Sequence, residues 1–233
     1  MNDANTRHSA APPPSAWIEP PQFDWSGLFG ADGPRVRFRK GQTLFSQGDP
    51  VRQVFVVEEG RVRLVLLSAA GHEQHMAIVG AHGMVGECSA FFDGRHSVTA
   101  IASSDVVARP VAHQALLERM EKDAQCLRQV LWLANAKLRV LAVQNLLLSQ
   151  ASATQRVVHH LLQLAATYGQ PADGGTEIGI AFTHQEMANI TGLSRVMVSN
   201  VLIQLQSEGL IGKVKAHCVV RDIDGLRQRA QSV

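Results

Sequence analysis

Cysteine is scarce in this chain: three in 233 residues, Cys88, Cys126 and Cys218. An odd number set far apart excludes a disulfide framework and lacks the close spacing of zinc or iron–sulfur ligands, and it suits a reducing cytoplasm. A strong charge of one sign is also missing. Twenty-two Lys and Arg stand against 20 Asp and Glu, a formal net charge of +2, so any nucleic-acid surface must be local. No apolar run approaches the roughly 20 residues a membrane helix needs. The opening stretch, MNDANTRHSAAPPPSAW, has no apolar core of a secretory signal. Its polar, Pro- and Ala-rich composition predicts a mobile arm over residues 1–34. The remainder is ordinary for a folded protein, 45% hydrophobic and 18% charged, on a length that builds one large domain or two modest ones.

From about Arg35 to residue 115 the pattern is β. The segments VRFRK (Val36–Lys40), VFVVEEG (Val54–Gly60), RVRLVLLS (Arg61–Ser68) and HMAIVG (His75–Gly80) are rich in β-branched residues. Val62, Leu64 and Leu66 alternate against Arg61, Arg63 and Val65, which predicts one buried and one open face. Glycines fall at the breaks, among them Gly41, Gly48, Gly60, Gly80, Gly86 and Gly94. Many short strands with glycine turns predict a β-roll or jelly roll rather than a parallel sheet.

The period then changes. Over residues 116–150, the run from Cys126 to Gln150 contains neither glycine nor proline. Leu127, Leu131, Ala134, Leu138, Leu141, Asn145 and Leu148 follow spacings of four and three, an a/d seam over about three heptads. So apolar a helix must bury its stripe, against its own roll or against a second copy. Asn145, a lone polar residue on the seam, can fix register, which favours a homodimer.

Residues 151–233 contain THQEMANITGLSRVMVSNVL, Thr183 to Leu202. Thr183 and Glu186 have the spacing of a capping box. A helix interior disfavours Gly192 by about 1 kcal/mol relative to alanine, whereas a tight turn between two helices wants it. Ala188 is small where the helices would cross, and Ser194 suits the N-cap of the second helix. There Val198, Val201, Leu202 and Leu205 would pack inward. Arg195, Val196, Ser199 and Asn200 would share the open face near the helix start, where a recognition helix meets base edges. Arginine pairs with a guanine edge and asparagine with adenine. Ile211 to Asp222 reads as a two-stranded wing, with Lys213, Lys215 and His217 at its tip for phosphates.

A glycine-punctuated roll, a long seam helix and a winged helix–turn–helix give an α+β chain. With KGQTLFSQGD (Lys40–Asp49), GMVGE (Gly83–Glu87) and THQEMANITGLSRVMVSNVL, it resembles the Crp–Fnr superfamily of bacterial transcription regulators. The resemblance implies a cytoplasmic homodimer joined along the long helix. It further implies a small-molecule effector pocket in the roll, binding to two-fold symmetric double-stranded DNA, and a contact with RNA polymerase. It assigns the pocket to Gly86, Glu87, Cys88, Ser89, Arg95, His96 and Ser97, with Leu141 and Ala142 from the long helix. It assigns DNA contacts to Arg195 and Ser199, and the helix-cap residues Thr183 and Ser194 are expected at the same surface.

Departures from the family pattern narrow the effector. Cyclic-AMP receptors hold the cyclic phosphate with an arginine followed by serine or threonine; matching the serine to Ser97 puts His96 in the arginine's place and Arg95 one position early. They bond the base with a threonine–serine pair where this chain has Leu141 and Ala142, and each lost hydrogen bond to a buried polar edge costs about 1–3 kcal/mol. Both ends argue against cyclic AMP. An iron–sulfur cluster needs an N-terminal cysteine cluster, and the first cysteine is Cys88. Haem stays open as a minor alternative through His72, His75, His82, Cys88 or His96. In the reading face, Val196 and Asn200 replace the glutamate and second arginine of many relatives, so Val196 is expected on a thymine methyl. Two other readings compete. A cupin-like metal-dependent enzyme needs a compact His-x-His, but two residues separate His72 from His75. A small-molecule module with a protein-binding C-terminal domain is favoured only by the weak net charge there.

Overall fold

The computed structural model describes residues 16–30, 33–69, 73–91, 94–214 and 217–231; Lys215 and His72 lie outside them. In chain order, β1 (Trp17–Ile18) and α1 (Trp25–Phe29) precede the roll strands β2 (Val36–Phe38), β3 (Thr43–Phe45), β4 (Gln53–Glu59), β5 (Val62–Leu67), β6 (Glu73–Val79) and β7 (Met84–Val85). A 3-10 turn (Glu87–Phe91), β8 (Thr99–Ala102) and β9 (Val106–Ala112) complete the roll. Three helices follow, α2 (His113–Lys122), α3 (Ala124–Gln150) and α4 (Ala153–Tyr168). The C-terminal region adds β10 (Gly169–Ala172), β11 (Gly175–Ile178), α5 (His184–Thr191), α6 (Arg195–Ser207), β12 (Ile211–Val214), β13 (His217–Val220) and α7 (Ile223–Gln231).

The roll strands form two sheets, ordered β1-β6-β5-β8-β3 and β2-β9-β4-β7. Phe45, Phe55, Val57, Val62, Leu64, Val79 and Val106 fill the space between them. The alternate residues of β4, Val54 and Val56, join Trp25, Met84, Leu116, Val130 and Leu133 on the outer face. Burial on both faces explains why β4 carries a continuous apolar run instead of an alternating one. In β5 the alternation breaks. The register with β6 shifts between Leu64 and Val65, so Val65 is buried and Leu66 is exposed, against the expectation from spacing. A bulge moves every later side chain to the other face.

α3 starts on Asp123, whose side chain accepts from the backbone amides of Gln125 and Cys126. Its buried face is Cys126, Gln129, Val130, Leu133, Lys137, Val140 and Gln144. The helix stops at Ala151, and a new capping box between Ser152 and Gln155 starts α4 at once. Two separately capped helices meeting at two extended residues, Ala151 and Ser152, place a joint between roll and C-terminal region.

The expectation of a mobile arm over residues 1–34 fails for residues 16–30. β1 pairs in parallel with the edge of β6, Trp17 opposite Ile78 and Ile18 opposite Val79. Trp17 and Trp25 are 5% and 4% exposed. Average composition concealed these few large side chains, each of which stabilises by about 1.5–3 kcal/mol when buried. Trp17 meets the His160 ring of α4 edge-on, and the Tyr168 hydroxyl donates to Glu19. Ala16, Trp17, Ile18, Ala77, Ile78 and Val140 share one core with α4, α5 and α6. The polar part of this junction is Asn189 of α5, whose amide lies 3.2 Å from His75 Nε2 on β6.

Two histidines at the junction are buried neutral. Burial, helped by Arg63, pushes His75 down to about 4, and burial, helped by His159, pushes His160 down to about 3. The unfolded chain therefore binds more protons below its ordinary histidine pKa of about 6.5, and native stability falls as pH drops through that value toward the folded pKa values. The slope per histidine approaches about 1.4 kcal/mol per pH unit. Urea unfolding midpoints measured from pH 7 to pH 5 should decline, and a His75→Gln/His160→Gln variant should show a flatter profile over that range.

Candidate nucleic-acid interface and roll interior

α5 is held at its start by the capping box expected from sequence. Thr183 Oγ1 accepts from the Glu186 amide at 3.0 Å, and the Thr183 amide donates to Glu186 Oε2 at 2.8 Å. Gly192 ends the helix in the left-handed region at φ 64°, where a Cβ would stand 2.7 Å from Leu148 Cδ2 at the end of α3. The amides of Gly192 and Leu193 both donate to Ala188 O, and Ala188 is buried where the turn closes. Ser194 Oγ then accepts from the Met197 amide to cap α6. Val198, Val201 and Leu205 are buried, while Val196, Met197 and Ile203 are exposed. Arg195 and Asn200 are exposed beside them. Ser199 differs from its neighbours: its hydroxyl donates to Arg195 O and lies 2.7 Å from His184 Nδ1. The β12–β13 ribbon pairs Lys213 with Cys218, and Lys213 is exposed. Lys215 falls outside the described residues. A cleft between α6 and the ribbon is lined by His184, Gln206, Lys213 and His217.

Inside the roll, Gly86 adopts φ 96°, and a Cβ on it would meet His96 Cε1 at 3.3 Å and Phe45 Cε1 at 3.4 Å. His96 lies flat on Phe45, with ring centroids 3.7 Å apart, and burial lowers its pKa. Arg95 points elsewhere: it is exposed, and its Nη1 donates to Gly48 O at 2.8 Å. Glu87 is fully buried and paired with Lys137 of α3, which also donates to Met84 O at 3.0 Å. Burial alone would push Lys137 toward neutrality, but the adjacent Glu87 carboxylate outweighs it and raises the pKa. Cys88 Sγ donates to Glu87 Oε1 at 3.2 Å; burial, then Glu87, pushes this thiol up to about 12, the opposite of an activated thiolate. Ser89 Oγ accepts from the Ser97 amide at 3.0 Å. Glu87 Oε2 and His96 Nδ1 are buried without a hydrogen-bond partner.

Both halves match known families: a cyclic nucleotide-binding domain over residues 35–123 and a Crp-like helix-turn-helix domain over residues 155–229. The transcriptional activator protein anr of Pseudomonas aeruginosa is 30% identical over 179 residues, covering 74% of this chain and 70% of that protein. The cyclic AMP receptor protein of Thermus thermophilus is 30% identical over 180 residues, covering 76% and 79%. The chain belongs to the Crp–Fnr family. The solved structure of FixK2 from Bradyrhizobium japonicum shares its fold, with a TM-score of 0.74 at 23% identity over 86% of this chain and 98% of that one. As a Crp–Fnr protein the chain is a DNA-binding transcription regulator with an effector-type roll, and the protein-binding reading of its C-terminal region gives way. The enzyme reading gains no ligand set: among the described residues no group of three or more His, Cys, Asp or Glu side chains is placed to hold a metal. No helix there is long and apolar enough to cross a membrane.

Of the residues expected at the reading face, Arg195, Val196 and Asn200 lie open together. Thr183 and Ser194 are occupied as caps, and Ser199 is tied to His184. The expected pocket residues divide. Gly86, Glu87, Ser89 and His96 are buried and Cys88 half-buried, whereas Arg95 and Ser97 are exposed, and Leu141 and Ala142 are half-buried and exposed on α3. His75, His82, Cys88 and His96 do not converge on one point. The seam residues Leu127, Leu131, Leu138, Asn145 and Leu148 are exposed, and Ala134 and Leu141 half-buried, on a face of α3 apart from the one packed on the roll. Lys137 and His184 escaped the sequence reading. A lysine among apolar neighbours is usually solvated, and only the fold shows Glu87 opposite it.

Removing one member of a buried ion pair costs about 3–5 kcal/mol because the other charge stays behind. Lys137→Met should lower unfolding free energy by about that amount in urea titration, and adding Glu87→Gln should restore most of it.

Proposed function

We propose that the protein acts as a homodimer in the cytoplasm, reading a two-fold symmetric duplex through α6 and responding to a small molecule in the roll. What carries the reading is the open face of α6: Arg195, Val196 and Asn200 stand exposed at the start of a capped helix that follows a glycine turn. That is the part of a recognition helix that enters the major groove. Lys213 and Lys215 supply phosphate contacts from the wing, and contact with RNA polymerase follows from family membership. The protein's role is regulation rather than catalysis.

Dimerisation is supported by the second apolar face of α3. Leu138 is 63% exposed and Leu131 49% in the single chain, and a helix with two apolar faces needs two partners. The roll covers one face and a second copy covers the other. Symmetry then sets the two recognition helices about one DNA turn, ~34 Å, apart.

The effector is not cyclic AMP. His96 fills the place where that ligand's phosphate would need an arginine, Arg95 is engaged at Gly48, and Leu141 and Ala142 offer the base no hydrogen bond. The unpartnered Glu87 Oε2 and His96 Nδ1 favour an effector that donates a hydrogen bond to the carboxylate. Iron–sulfur chemistry has no cysteine cluster here, and haem remains the weaker alternative.

Selection from a random duplex library should return a palindromic site. Affinity for it should fall with salt at about −0.9 log units per neutralised phosphate. Asn200→Ala should relax one base position by about 1–3 kcal/mol of discrimination. Val196→Ala should change a different position, and an unchanged preference at every position would refute its thymine contact. Calorimetric titration with cyclic AMP should release no heat; micromolar binding would return Arg95 to the pocket.

A further inference from the structure

The outer face of the roll carries a cleft separate from its interior. It is lined by Phe23, Trp25, Arg35, Glu58, His82 and Arg109, with Val56 and Val57 of β4 beside them, and has a volume of about 180 Å³. Val56 marks its side of the sheet, because it packs with Trp25, Met84 and Leu116 and not with the interior cluster.

Charge among the lining residues is unbalanced. Arg35 Nε donates to Glu58 Oε2 at 2.6 Å, and Arg109 Nε donates to Glu58 Oε1 at 2.9 Å. Two guanidinium groups thus converge on one carboxylate, and one positive charge among the lining residues is left over. Arg109 is buried and also donates to Gly30 O. Arg35 is half exposed, and among the described residues its hydrogen bond is through Nε. A planar guanidinium with open N–H groups is suited to a carboxylate.

The same lining carries two aromatic rings. Phe23 and Trp25 meet edge to face, 5.7 Å between centroids, and the Trp25 indole N–H is held by His82 O at 2.7 Å. The tryptophan is therefore fixed with its ring toward the cleft wall and has no free donor for a polar ligand. An apolar cavity of ~150 Å³ accepts benzene, so this cleft holds one ring with a short polar group.

We propose that this cleft is a second ligand site, distinct from the roll interior, for a small aromatic monocarboxylate whose ring lies against Phe23 and Trp25 and whose carboxylate meets Arg35. Occupancy bears on the long helix, since Phe23 also packs edge-on against Trp132 of α3 at 5.5 Å, next to the seam residue Leu131.

Benzoate is the probe, with benzamide as its neutral counterpart and inorganic phosphate as a bare anion. Titrated into the full-length protein and followed by calorimetry and tryptophan fluorescence, benzoate should bind and perturb the emission, and the other two should not. Arg35→Gln, at a half-exposed position that leaves Arg109 and Glu58 paired, should weaken benzoate about ten- to hundredfold while duplex affinity stays unchanged. The proposal is overturned by absence of benzoate binding, by equal binding of benzamide or phosphate, or by benzoate binding that Arg35→Gln leaves intact. Loss of duplex binding in the parent protein would instead sink the regulator reading and leave the cleft standing.

Discussion

Lys137 carries its charge into the seam between α3 and the roll, and Glu87 is what makes that tolerable. Taking two such charges out of water costs several kcal/mol each, and their attraction in a low-dielectric interior must return it. The pair therefore has little tolerance for displacement: α3 sits correctly on the roll only when Nζ reaches both Glu87 and Met84 O. That position fixes which face of α3 is spent on the roll and which remains exposed. The end of the helix at Ala151 is set locally, where the Ser152–Gln155 capping box starts α4.

From that end the consequences reach the reading face. Leu148, on the last turns of α3, lies against Gly192 in the turn between α5 and α6, and Arg156 of α4 donates to Thr191 O in the same turn at 3.0 Å. A change at the seam is therefore in contact with the helix–turn–helix without crossing open solvent. β1 closes the opposite side, pairing with β6 while Trp17 packs on α4. The β1–β6 edge of the roll and Val140 of the long helix share one apolar cluster with the reading domain, so the arrangement is a docked one. An effector shifts such an arrangement only by binding one form better than another.

In the interior of the roll the turn at Gly86 and Glu87 is crowded by other side chains. Gly86 still makes the close turn and Glu87 still follows it. Yet His96 on Phe45 fills the space beside Gly86, and Lys137 takes the carboxylate. The polar atoms left without partners are few and buried, which restricts what could enter to ligands that satisfy them.

Local spacing alone determined a great deal. Period two with glycine breaks gave the roll, period 3.5 without glycine gave α3, and Thr183–Glu186, Gly192 and Ser194 gave the paired helices with near-residue accuracy, because caps and left-handed turns are set by neighbours in the chain. The β5 bulge, the docking of residues 16–30 and the roles of Lys137 and His184 were hidden, because each depends on a partner tens of residues away. Arg195 and Ser199 look alike as polar residues on one helix. Only the tertiary structure decides that Arg195 is open and Ser199 is held by His184, since a side chain's freedom is set by what the fold brings against it.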